Sequence, residues 1–153
     1  MAIQIIDSQH LDEALSLAKR SIERLDQRFA TFYRNSSGLL ADHQADFPLC
    51  EFEPAQLRHF SLKSLNKLIR FTYAPVEADG RFKGRVDVHL IAPDHAHFRN
   101  TPLGGFTFST DHETDVTQAG EPGHLQFATP EDCAAIVKHF ILKALQSDYT
   151  RND

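Results

Sequence analysis

Apolar residues recur near the start of the chain at alternating intervals of four and three: Leu11, Leu15, Ala18, Ile22, Leu25, Phe29 and Phe32. That is the period of an α-helix with one narrow apolar stripe, and it predicts a helix from about Gln9 to Tyr33. Asp7 or Ser8 stands where an N-cap belongs. Residues 23–27, with Arg20, Arg24 and Arg28 interleaved, are expected to form its solvated face. So narrow a stripe suits a seam between two helices as well as packing on the chain's own core. The preceding Ala-Ile-Gln-Ile-Ile reads as a short strand.

A second helical pattern closes the chain. Thr129 at the N-cap, Pro130 at the first helical position and Glu131 and Asp132 in the first turn open it. Cys133, Ile136, Val137, Phe140, Ile141, Ala144 and Leu145 then form a wide apolar face, suited to lying on a sheet.

Between the helices the period drops to two. Asp79-Gly80 is the preferred pair for a tight type I′ turn. With Ala78 facing Arg81, Tyr73 meets Val86, Phe71 meets Val88 and Ile69 meets Leu90. On the opposite side Ala74 meets Arg85, Thr72 meets Asp87 and Arg70 meets His89. One register sorts an apolar from a polar face, and a slip of one residue destroys both. Phe106 and Phe108 alternate with Thr107 and Ser109 in a further strand, and Leu125 and Phe127 mark another. Residues 35–56 carry many helix breakers and read as irregular. Residues 54–67 fit helix or strand, and residues 111–123 read as an exposed acidic loop. The expected fold is a single α+β domain over residues 1–153. An antiparallel sheet of about four strands carries the N-terminal and C-terminal helices on one face, as a two-layer sandwich.

Composition adds limits. The chain has 12 Phe and no Trp, so phenyl rings should dominate the core. A formal charge of −5 gives no basic excess for nucleic acid, which is therefore not expected as a partner. Cys50 and Cys133 match neither a metal nor a redox spacing. No apolar run reaches the roughly 20 residues of a membrane span, and no signal peptide opens the chain; a cytoplasmic protein is expected.

Two constellations could carry chemistry. The polar hairpin face gathers Arg70, Thr72, Arg85, Asp87 and His89, groups able to hold a phosphate or carboxylate and to move a proton. The segment Pro-Asp-His-Ala-His-Phe-Arg-Asn supplies Asp94, His95 and His97. With His112 these are donors suited to Zn²⁺, although no closed four-ligand spacing accompanies them. No P-loop, nucleophile elbow or HExxH pattern is present. The leading expectation is a small cytoplasmic, non-enzymatic binding or adaptor protein that acts on a protein partner, itself included as a homodimer. The competing expectation is an enzyme or ligand-binding protein using the polar face or the histidine site.

Overall fold

Asp7 does cap the first helix: its Oδ1 accepts the backbone N–H of His10 at 3.0 Å. The computed structural model describes residues 2–42, 50–93 and 97–152. In it the helix α1 runs over Ser8–Asp42, more than two turns beyond the predicted end. Asn35, Ser36, Ser37 and Gly38 do not break it, because tertiary contacts outweigh their low propensity. Asn35 Nδ2 donates to the carbonyl of Phe127 at 2.7 Å, and Ser36 and Leu40 are wholly buried.

Seven strands form the main sheet, not about four. They are β1 (Glu51–Phe52), β2 (His59–Ser64), β3 (Lys67–Ala78), β4 (Arg81–Ile91), β6 (Thr101–Phe108), β7 (Glu113–Thr117) and β8 (His124–Gln126). They lie side by side in chain order and every pairing is antiparallel. A separate pair joins β5 (Phe98–Arg99) to β9 (Thr150–Arg151). The second helix, α2, spans Pro130–Leu145. The fold is α+β with an antiparallel sheet.

The β3–β4 hairpin adopts the register read from sequence at every pair from Ile69–Leu90 to Ala78–Arg81. Asp79 and Gly80 both have positive φ, 54° and 76°, as a type I′ turn requires. Pro75 is accommodated because β2 borders β3 only as far as Thr72, so no strand adjoins it on that side. The ambiguous stretch after Pro54 resolves into strand β2, whose Phe60 and Leu62 face the core. It turns into β3 through Leu65 and Asn66, again with φ positive, 49° and 66°.

The acidic stretch after Phe108 is partly strand, not wholly loop. Thr114 of β7 is buried and its Oγ1 donates to the carbonyl of Leu125 at 2.8 Å. Thr129 does precede α2, but its side chain makes no cap bond. Asp132 instead accepts the backbone N–H of Gln126 at 2.9 Å, tying the first turn of α2 to β8.

Both helices meet the sheet on the face that carries Phe60, Phe71, Phe106 and Phe108. Phe32 of α1 stacks on Phe127 at 4.5 Å and meets Phe60, Phe71 and Phe106 edge-on. Phe140 of α2 meets Phe71 edge-on and stacks on Phe106. Offset and edge-on rings of this kind add to the area they bury.

Candidate functional site

The hairpin register places Arg70 opposite His89 and Thr72 opposite Asp87, with Arg85 one pair further toward the turn. All five lie on the sheet face away from the helices; Thr72, Arg85 and Asp87 are exposed and Arg70 and His89 half-buried. Arg70 Nε donates to Ser61 Oγ of β2 at 3.1 Å, and Arg85 Nε to Asp87 Oδ1 at 3.4 Å. The sequence-proposed group is therefore assembled. It is an array of donors and one carboxylate, three of its five residues exposed, with the chemistry to hold an anion.

The histidine site fares differently. Asp94 and His95 lie outside the described residues. His97 precedes β6, where its carbonyl accepts the backbone N–H of Asn152 at 2.7 Å. His112 follows β6, in the turn to β7. An eight-residue strand spans about 26 Å, so the two imidazoles stand at opposite ends of it and do not converge. Among the described residues no group of three or more His, Cys, Asp and Glu could hold a metal ion. His112 has a structural setting instead. Its φ is 72°, and its carbonyl accepts Phe127 N–H at 2.9 Å. Its Nδ1 is buried and, among the described residues, without a hydrogen-bond partner. Burial, then the nearby Arg28 cation, push its pKa below the ordinary imidazole value, against a weaker pull from Asp111.

Sequence reading missed a cluster that joins α1 to the sheet. Asp26, assigned to the solvated helix face, accepts Arg58 Nε at 3.1 Å and the Tyr73 hydroxyl. Burial and the Asp26 carboxylate raise the Tyr73 pKa, which keeps the phenol a donor. Arg28, on the same face, donates to the carbonyl of Thr110 at 2.7 Å. Nothing sets Asp26 and Arg28 apart from the other charges of that face, and their partners lie 32 and 82 residues away.

Near its far edge the sheet opens. β7 pairs with β6 at Phe108–Thr114 alone, and Asp115 Oδ1 then accepts the backbone N–H of Thr107 in place of a strand carbonyl. The parting leaves a cleft of about 360 Å³ over Phe106, Val116, Ile136 and Phe140, with His139 also in its wall.

The N-terminal stripe is the feature least explained by the fold. Its second half, from Leu25 through Phe29 to Phe32, is core. Its first half is not: every residue from Ala2 to Leu17 is exposed. Leu11, Leu15 and Leu17 are 38, 60 and 60 % accessible, and Ile3, Ile5 and Ile6 are more than half accessible. The expected short strand at residues 2–6 does not form. From Ser8 to Leu17 the helix would be about 15 Å long, and none of it is packed into the core.

Among the described residues no helix is long and apolar enough to cross a membrane. The chain matches no known family, no curated protein and no solved structure.

Proposed function

We propose that this is a small non-enzymatic binding or adaptor protein of the cytoplasm, working through the exposed N-terminal half of α1 and associating with itself. The observation that carries the reading is the fate of one stripe. Leu11 and Leu15 begin the same heptad-like pattern that supplies core residues from Leu25 onward, yet both are exposed, and Ile3, Ile5, Ile6 and Leu17 near them in sequence are exposed as well. Exposed apolar side chains gathered at one end of the chain suit an interaction site. In this reading the molecule is a two-layer sandwich: the sheet and the helices' inner faces make a closed body, and the start of α1 is its docking element.

Light scattering across a concentration series is the test. The wild-type chain should shift from monomer to dimer as concentration rises through the micromolar range. Leu11→Ser with Leu15→Ser should remain monomeric while unfolding at the same denaturant midpoint, because neither side chain is buried. A strict monomer at high micromolar concentration overturns the self-association.

A second reading has its own support in the assembled face of Arg70, Thr72, Arg85, Asp87 and His89, which suits an anionic ligand. Phosphate or a dicarboxylate titrated against the ¹⁵N-labelled chain should then move the Arg70, Thr72 and His89 amides together. Shifts scattered over the surface would dismiss it. A zinc site at Asp94, His95 and His97 is the remaining alternative, and metal analysis of untagged protein decides it.

A further inference from the structure

We infer that the occupant of the exposed stripe is the stripe of a second copy, laid antiparallel along residues 8–22; this rests on the self-association proposed above and specifies its geometry. Charge selects the direction. The first turns of α1 carry Asp12 and Glu13, and the next turns carry Lys19 and Arg20. All four are exposed, and Lys19 makes only a solvated contact of 3.9 Å with Glu23 of its own helix. Of these, Asp12 and Lys19 lie on one flank of the apolar stripe, whereas Glu13 and Arg20 lie on the far side of the helix. Parallel alignment sets that flank against the uncharged flank of Ala14 and Ser21. Antiparallel alignment sets Asp12 of each copy against Lys19 of the other, twice by symmetry.

The apolar positions agree with that direction. A two-fold axis between Ser16 and Leu17 brings Leu15 of each copy over Ala18 of the other, and Leu11 over Ile22. Ala14 and Ser21 flank this seam, and small side chains there let the two backbones approach closely. Ile3, Ile5 and Ile6 then run on past the seam toward the body of the other copy.

The body provides a matching recess. Ala14, Leu17, Ala18 and Ser21 form one side of a groove of about 540 Å³, whose other side is the tip of the β3–β4 hairpin with Phe82. Arg81 and Lys83 stand on that tip, and Asp111 is the groove's one acidic lining residue. An entering helix that begins with Asp7, Asp12 and Glu13 meets two cations there.

Two measurements separate this geometry from self-association as such. In the first, Leu15→Cys and Ala18→Cys chains are mixed under mild oxidation; native Cys50 and Cys133 are buried and should not compete. The mixed disulfide should form at least tenfold faster than either homodimeric one. In the second, Asp12→Lys should weaken dimerisation at least threefold. Lys19→Asp should do the same. Both changes in one chain should restore it. Preferred Leu15→Cys self-crosslinking, or no rescue by the Asp12→Lys, Lys19→Asp double variant, overturns the antiparallel seam while a wild-type dimer keeps the broader reading. A monomeric wild type that forms no crosslink overturns both.

Discussion

Gly38 and Gly84 should respond with opposite signs to the same added methyl. Gly38 lies in α1 with a helical φ, and a Cβ there meets nothing within 4 Å. Gly38→Ala should therefore stabilise by about 0.5–1 kcal/mol, through the backbone entropy that glycine loses in a helix. Gly84 faces Phe108 across the β4–β6 ladder, and its Cβ would fall 2.2 Å from that ring. Phe108 is wholly buried against Phe127 and Tyr73 and has nowhere to move. Gly84→Ala should cost about 1–3 kcal/mol, the usual range for an overpacked core. Urea midpoints measure both, and equal signs would show that one environment has been misjudged. His112 adds a pH dependence. Its folded pKa lies below the 6.5 of the unfolded side chain, so the unfolded state binds more protons between the two values. Stability from this group is intact above about pH 6.5 and erodes as pH falls below it. His112→Asn tolerates the positive φ and removes the titration. It should lessen the drop in urea midpoint between about pH 7.5 and 5.5, and an unchanged drop would assign the acid sensitivity to other groups.

Whether an element was legible in the sequence depended on whether its information was local. The β3–β4 hairpin was readable because Asp79-Gly80 fixes the turn and the alternation fixes the register, both within 24 residues. The start of α2 was readable in position from Thr129 and Pro130. The last turns of α1 were not, since Asn35 is held by a carbonyl 92 residues away. Strand β2 was obscured because its turn uses Leu65-Asn66, and a leucine at φ 49° is an unusual choice for a position that favours Asn or Gly. Strand β7 was hidden by its acids: Glu113 and Asp115 are exposed, while Thr114 between them makes the inward contact. The candidate site divides along the same line. The hairpin cluster follows from register and was foreseen, whereas the Asp26–Arg58–Tyr73 tie depends on how α1 lies over the sheet and was not.

At the scale of the whole molecule, the chain has two parts with different stakes in stability. Residues 2–17 contribute no buried side chain, and hydrogen bonds such as Asp7 to His10 and Gln9 to Glu13 are internal to that stretch. The body from Leu25 onward holds the phenyl-rich core. Deleting residues 2–17 should therefore leave the unfolding free energy of dilute protein within about 1 kcal/mol of wild type, since the large losses come from buried groups and none is removed. The two chains should part as concentration rises. A dimer binds the native state and not the unfolded one, so the wild-type melting temperature should climb with protein concentration by mass action. The shortened chain has no seam and should melt at one temperature throughout. Calorimetry over a hundredfold concentration range reads both quantities. Parallel climbs in the two chains would place the association on another surface, and the open face of Arg70, Arg85 and His89 would be the first to examine. A large loss of stability in dilute shortened protein would mean that the exposed turns of α1 support the body after all, and the stripe would lose its standing as a docking element.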